Sequence, residues 1–470
     1  MGITTYSNPV VPFAVQSVNT TAVPSSFQFT VTGFSYTNPN ITVTTSTAHN
    51  FLVGHTVYVW GVTASGTNPF PTSFTVTAVT STTFTFNYGA TAPGTYTSGG
   101  TAQLYFSPST SWAYMSKYVN GTYFFGGAQG QLIYSIDGKN WNFTQVPNSG
   151  TITCIDYDGT TYAVGNQNGM IYTSSTLTPT SWTQRTTSGV QIYDIKWCGG
   201  SINRWVTCGG DPATSASVVG YASSGAVTWT FPTVTGANTS AVNSIAFDGG
   251  SSIVLCAGLH ATAANRTLIY STNGTTFTGV AQDSTVYLST SNGTANSRYG
   301  ISIWWNPTES RFVAFSNGLH AASSATAATA TSGAAWHTTG FRTGQFDSTQ
   351  ILNTNVASSS GGSPSRSIIN FEPLSNKIYT WSMMSDSLRI DTHDANPTSI
   401  PYGTSTLSHY PKLSSIIIPI PGIASNYNTT FVSRQNRSST NVCYGNNTFV
   451  VLMTDTANQY ETVIRTALIS

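Results

Sequence analysis

Tyr118-Val119-Asn120-Gly121-Thr122-Tyr123-Phe124-Phe125, followed by Leu132-Ile133-Tyr134-Ser135-Ile136-Asp137-Gly138-Lys139-Asn140-Trp141, is the stretch that decides the fold. It reads as an apolar strand, an Asn-Gly turn, a second apolar strand, a third strand, a short turn and an aromatic. Asp156-Tyr157-Asp158-Gly159-Thr160-Thr161-Tyr162-Ala163-Val164 repeats it, continuing to Met170-Ile171-Tyr172-Thr173-Ser174 and Trp182. Later copies turn around Asn203, Asp248-Gly249, Pro307-Thr308-Glu309, Ser375-Asn376 and Gly445-Asn446-Asn447. Apolar second-strand positions then fall at Tyr123, Tyr162, Trp205, Ile253, Phe312, Ile378 and Phe449. About seven units of roughly 40–70 residues, each holding about four short strands, predict a seven-bladed β-propeller.

Composition agrees with an all-β chain. Of the 470 residues only 7% are charged, against 39% hydrophobic and 12% aromatic. Thr and aromatic side chains favour the pleated surface of strands, and no sustained 3.6-residue period predicts a helix. A formal net charge of +1 with no Lys/Arg run argues against a nucleic-acid partner, which requires a basic stripe. No apolar run reaches the ~20 residues of a transmembrane helix. The first residues lack the basic and apolar regions of a signal peptide, so synthesis in a cytoplasm is expected. Five cysteines without a CxxC pair read as small buried hydrophobes rather than a disulfide framework or zinc site. No metal or organic cofactor is expected.

Three regions follow. Residues 1–30, with Pro9, Pro12 and Pro24, read as an extended N-terminal arm. Residues 31–100 read as a small β-barrel or sandwich module, because apolar residues alternate strictly and Gly54, Gly61 and Gly89 mark turns. Residues 101–470 hold the propeller. Its last unit stops after a third strand, and a ring with a missing strand leaves a raw edge. Residues 101–107, immediately before the first unit, are the expected closing strand.

Within the small module, Asn40–Thr45, His49, Gly54, Val57 and Gly61, then Phe74, Val79 and Phe84, follow a recognisable order. This stretch resembles a module of tailed-phage structural proteins, compared in fold with a small barrel domain of ubiquitin-activating enzymes. The resemblance implies a virion context: a tail or host-adsorption component, acting with copies of itself and other virion proteins. His49, without a second ligand at metal spacing, reads as a structural hydrogen-bonding residue.

Ser135-Ile136-Asp137-Gly138-Lys139-Asn140-Trp141 resembles the Asp-box of sialidases, with its Gly one place early. Ser271-Thr272-Asn273-Gly274-Thr275-Thr276-Phe277 is a second version, and Ser223–Trp229 and Ser332–Trp336 are degenerate ones. The motif's chemistry is local: a polar side chain caps its own turn, Gly takes positive φ, and the aromatic packs between blades. Sialidases also need an Arg ahead of the first box, and no Arg precedes Arg185. Asp158, Asp211, Asp248, Glu309 and Glu372 fall at predicted turns. No catalytic residue is therefore assigned. The rival reading, a glycan-processing enzyme, requires two acids and a base converging at the centre of the ring. A head fibre or decoration protein is the other alternative. Tyr402, Tyr410 and Tyr427, on the longest loops, are the candidate contacts for a host-surface glycan or partner.

Overall fold

The computed structural model describes residues 15–19, 28–49, 51–65, 70, 73–104, 115–146, 150–178, 181–211, 216–235, 241–258, 268–280, 300–316, 322–326, 337–342, 368–372, 377–383, 387–394, 398–402, 405–419, 442–458 and 461–469. Among them the chain is all-β, with one 3-10 turn at Ala128–Gly130 and no α-helix. No helix of the described residues is long and apolar enough to cross a membrane.

The chain opens with β1 (Val15–Asn19). Eight strands then run through β2 (Gln28–Thr37), β3 (Asn40–Thr45), β4 (Thr56–Trp60), β5 (Thr63–Ala64), β6 (Ser73–Val79), β7 (Thr83–Asn87), β8 (Tyr96–Ser98) and β9 (Thr101–Leu104). Six of these form a closed barrel in the order β2-β3-β7-β6-β4-β9, and β5 pairs with β8. The period-2 pattern sets which side faces in. Ile41, Val43, Phe84 and Phe86 are fully buried, while Thr42 and Thr85 point outward and pair through their hydroxyls at 2.9 Å. Phe74 stacks on Phe86 at 4.2 Å, and Phe51 meets Phe84 edge-on at 5.1 Å.

The repeat units follow. The first sheet is β10 (Met115–Val119), β11 (Thr122–Gly126), β12 (Gln131–Ser135) and β13 (Asn142–Gln145). The second is β14 (Ile152–Tyr157), β15 (Tyr162–Asn166), β16 (Met170–Ser174) and β17 (Thr183–Thr187). Next come β18 (Ile192–Cys198), β19 (Arg204–Asp211), β20 (Ala216–Ala222) and β21 (Trp229–Thr230), paired in that order. The strands β22 (Ala241–Phe247), β23 (Ile253–Gly258), β24 (Leu268–Ser271) and β25 (Thr278–Gly279) repeat it. A fifth unit is β26 (Gly300–Asn306), β27 (Arg311–Ser316), β28 (Ala322–Thr326) and β29 (His337–Arg342). The sixth is β30 (Ile368–Glu372), β31 (Lys377–Met383), β32 (Ser387–Asp394), then β33 (Thr398–Tyr402) and the long β34 (Ser405–Pro419). The first half of β34 runs parallel to β29, and its second half pairs with β32, so the fifth and sixth units share it. The chain ends in β35 (Val442–Gly445), β36 (Thr448–Asn458) and β37 (Glu461–Ile469).

Local chemistry explains the repetition. Asn120 (φ 50°) and Gly121 (φ 72°) take the left-handed conformations of a type I′ turn, as do Asn446 and Asn447 at φ 45° and 57°. The second-strand residues named from the sequence all lie on β11, β15, β19, β23, β27, β31 and β36. One feature escaped the sequence reading: β14, β18, β22 and β26 each carry a bulge at the same register, at Thr153, Tyr193, Asn243 and Ile301. The first strands of successive units lie side by side, β10 against β14, β14 against β18, β18 against β22 and β22 against β26, with β35 against β10.

Two expectations need correction. The last sheet is completed by β1 of the N-terminal arm, with Val15 opposite Ile469 and Asn19 opposite Thr466. Residues 101–104 belong instead to the barrel, where β9 pairs with both β2 and β4 and buries Ala102 and Leu104. Thr101–Leu104 alternates and Val15–Asn19 does not, so alternation alone points to the wrong segment. The barrel itself needs β9, without which β2 and β4 would each become an open edge. The barrel strands consequently run from Gln28 to Leu104, past the 31–100 limits, and residues 1–30 are not only an arm. The barrel shares one apolar core with Phe125, Ile133 and Trp141 of the first sheet and Cys443, Val450 and Leu452 of the last. Gln129 Nε2 also donates to Thr56 Oγ1 at 3.0 Å across that junction.

Candidate functional site

The polar groups that could carry chemistry fall in three places: the first strands, the turns after the third strands, and the barrel interior. On the first strands, Lys117 of β10 and Asp156 of β14 form an ion pair at 3.5 Å. Asp194 of β18 lies within electrostatic reach. Burial disfavours the ammonium of Lys117, but Asp156 and Asp194 outweigh it and raise the pKa above the ordinary lysine value. Two acids and a base thus meet on neighbouring strands, the combination named above for an enzyme.

Their oxygens are already committed. Asp156 Oδ2 accepts the Trp197 amide of the next unit at 2.9 Å, while its other oxygen faces Lys117. Asp194 Oδ2 accepts the Ile245 amide of the following unit at 3.0 Å, and its Oδ1 takes the Ile195 amide at 2.9 Å. One unit further on, Ser244 Oγ accepts the Ile303 amide at 3.0 Å. Asp194 and Ser244 stand at the same register, three residues before Trp197 and Phe247, which face Trp205 and Ile253. Ser116 and Thr153 add hydroxyl bonds to the Val442 and Ile192 carbonyls, at 2.9 and 2.6 Å. These side chains tie adjacent first strands together where no backbone ladder does. Lys117, Asp156 and Asp194 were not singled out from sequence: Lys117 and Asp156 directly precede Tyr118 and Tyr157 but carry opposite charges, and Asp194 lies three residues before Trp197, so no single motif joins them.

The Asp-box turns do what the sequence implied. Ser135 Oγ donates to Asp137 Oδ1 at 2.8 Å and accepts the Gly138 amide at 2.9 Å. The Lys139 and Asn140 amides both reach Asp137 Oδ1 at 2.8 Å. Burial alone would raise the Asp137 pKa, but these donors prevail and lower it to about 2. In the second box Asn273 Oδ1 accepts the Thr275 and Thr276 amides at 2.9 and 2.8 Å, with no charge at all. The degenerate box at Ser223–Trp229 borrows its acceptor: Asp158 of the neighbouring unit takes the Gly225 amide at 3.1 Å and the Trp205 indole at 3.2 Å. The box aromatics pack on the unit before them. Trp182 donates to Thr144 at 3.1 Å, Trp229 lies with Cys154, Ala163 and Ile171, and Phe277 lies with Val206 and Cys208. Trp112 and Trp336 lie outside the described residues.

In the barrel, His49 is buried, and its Nδ1 accepts the Phe51 amide at 3.0 Å, the structural role expected of it. His55, not singled out from sequence, is buried too, and its Nδ1 accepts the Leu52 amide at 3.0 Å. Cys154, Cys198, Cys208 and Cys443 are buried, and burial pushes the Cys198 thiol up to about 12. The Cys256 side chain lies outside the described set. Among the described residues no group of three or more His, Cys, Asp or Glu could hold a metal ion. The three tyrosines are not brought together as a described site. Tyr402 ends β33 opposite Ser405 and Tyr410 lies on β34 opposite Phe341, so both stand in strands and not on the long loops expected of them, because residues 398–402 and 405–419 pair into the sheet; Tyr427 is outside the described residues.

No protein-family model matches this chain, and no curated protein does. Among solved structures, a crystal structure of the computationally designed Ika8 protein is similar over 93% of this chain and 96% of that one. Its identity is 10% and its TM-score 0.40, too low to carry any functional conclusion.

Proposed function

We propose that the repeat units are the blades of a seven-bladed propeller, and that the protein is a non-enzymatic structural component of a tailed-phage virion. Its place is the tail or host-adsorption apparatus, where it acts through interfaces with its own copies and with other virion proteins. The virion context rests on the module resemblance at Asn40–Phe86. The non-enzymatic reading rests on one observation: Asp194 and Ser244 perform the same task at equivalent positions, each accepting an isoleucine amide of the next unit. A position that accepts either side chain asks for an acceptor, not for a catalytic charge. A rigid, charge-poor body suits repeated packing, since few ions need be desolvated at a contact.

The glycosidase reading retains one favourable feature, the meeting of Lys117, Asp156 and Asp194. Two measurements decide. Mass spectrometry and subunit counting on intact particles should find the chain at fixed copy number in tail fractions; absence from particles would refute the proposal. Fixed copies on the capsid would instead favour a head fibre or decoration protein. The purified chain should release no reducing ends from host surface polysaccharide. Release abolished by Asp156→Asn or Asp194→Asn in folded protein would establish the enzyme instead.

A further inference from the structure

No Asp, Glu, Lys or Arg precedes Lys117. The barrel strands Gln28–Leu104 therefore carry no fixed charge, and their histidines, His49 and His55, are both about 2% exposed. Each uses Nδ1 as an acceptor, for the adjacent amides of Phe51 and Leu52. The proton of each neutral ring then sits on Nε2, which is buried and lacks a well-formed hydrogen bond, although the Thr83 backbone interacts with the His49 ring. His49 stacks on Phe51 at 4.6 Å and meets Phe84 edge-on at 5.4 Å. Phe51 in turn is 3% exposed and belongs to the core that the barrel shares with the first and last sheets.

We propose that His49 and His55 are an acid-sensitive latch: neutral, they hold the Phe51–Leu52 backbone and seat Phe51 in the barrel core; protonated, they release it. The chemistry is local. A second proton on Nδ1 places an N–H against the amide N–H it formerly accepted, and it puts a cation in an apolar interior. No counter-ion is at hand. The other titratable side chains between Gln28 and Leu104 are the phenols of Tyr36, Tyr58, Tyr88 and Tyr96, and none is a carboxylate that could pair with an imidazolium. From the sheets packed against it, the shared core presents three titratable groups, the Tyr118 and Tyr123 phenols and the Cys443 thiol, all raised by burial. Consistent with this geometry, burial lowers both histidines; it outweighs the opposing Thr83 backbone interaction at His49, and proximity to His49 adds to the effect on His55. The released Phe51, with its neighbours Leu52 and the half-exposed Val53, would uncover apolar surface on the barrel. The latch does not depend on the virion reading.

The test uses the full chain. Hydrogen exchange of the peptide containing Phe51 and Leu52, corrected for intrinsic rates, should lose protection below ~6.5 by about tenfold per pH unit for each histidine that takes up a proton on opening, about a hundredfold when both do. In the His49→Asn/His55→Asn variant, whose amide oxygens accept but do not titrate, protection should stay level with pH. Wild-type protection independent of pH between 7 and 4, or the same fall in the variant, would overturn the latch. Should the double variant not fold, side-chain NMR on the wild type serves. Either imidazole titrating near 6.5 with the barrel still folded also overturns it, whereas both titrating only as the barrel opens supports it.

Discussion

Gly445 ends β35, and a Cβ placed on it would lie 2.1 Å from the Tyr118 ring of the first sheet. Its carbonyl also accepts the Tyr123 hydroxyl at 2.6 Å. This is where the last unit meets the first. Gly445→Ala forces either the Tyr118 ring or the strand to move. Overpacking of this kind costs about 1–3 kcal/mol, and a displaced Tyr123 bond adds about 1 kcal/mol. A loss of about 2–4 kcal/mol is therefore expected, read as a lower denaturation midpoint with an unchanged denaturant slope. Gly33→Ala is the control, because nothing lies within 4 Å of its Cβ position. Tyr118→Ala should relieve part of the Gly445→Ala penalty, giving a coupling of at least ~1 kcal/mol in a double-mutant cycle. Gly445→Ala at wild-type stability, or a cycle without coupling, would refute the contact between first and last units.

Removing residues 1–19 should strip β1 from β37 and expose an edge, seen as aggregation or a lowered melting temperature; unchanged stability would deny β1 its closing role. Asp194→Ser should cost under ~1 kcal/mol in a chemical melt and Asp194→Ala clearly more, since only the alanine leaves the Ile245 amide unpaired. Asp137→Asn should be nearly silent and Asp137→Ala should cost about 1 kcal/mol, because Asn273 already does the same work in the second box. For the barrel, His55 has a folded pKa of about 3 against 6.5 for an unperturbed histidine. A lowered histidine pKa means stability is full above ~6.5 and is lost as pH falls toward ~3. At ~1.4 kcal/mol per pH unit, about 2.7 kcal/mol is lost by pH ~4.5 for this residue, measurable as a pH-dependent midpoint.

Much of the fold was legible because it is written in local chemistry. Asn120-Gly121 and Asn446-Asn447 specify turns by their positive φ, and Ile41, Val43, Phe84 and Phe86 specify a barrel interior by alternation. What was missed is long-range. Nothing in Val15–Asn19 says that its partner lies at Thr466–Ile469, and Thr101–Leu104 has the clearer alternation. Loop-closure cost grows only slowly with separation, so the distant partner is not disfavoured by length. The bulges at Thr153, Tyr193, Asn243 and Ile301 share a register but no residue type, and they carried no signal. His55 reads like any polar residue beside a turn until burial shows that its ring is enclosed.

The substitutions between repeats also explain why so few charges are needed. Asp137 and Asn273 accept the same pair of turn amides, and Asp194 and Ser244 accept the same inter-unit amide. Each position demands a short acceptor, and the unsatisfied amide is what would be expensive, by about 1–3 kcal/mol. An ionised acceptor makes the stronger single bond, yet it must be desolvated or given a partner, as Asp156 is by Lys117. Neutral Asn, Ser and Thr meet the demand without that requirement. A chain in which 7% of residues are charged can therefore bridge its sheets, and its faces then present hydroxyls and amides to neighbours. The same economy leaves the barrel with no ion to accompany a protonated histidine. Low charge thus spares desolvation within the sheets at neutral pH and leaves a protonated barrel histidine without a compensating charge.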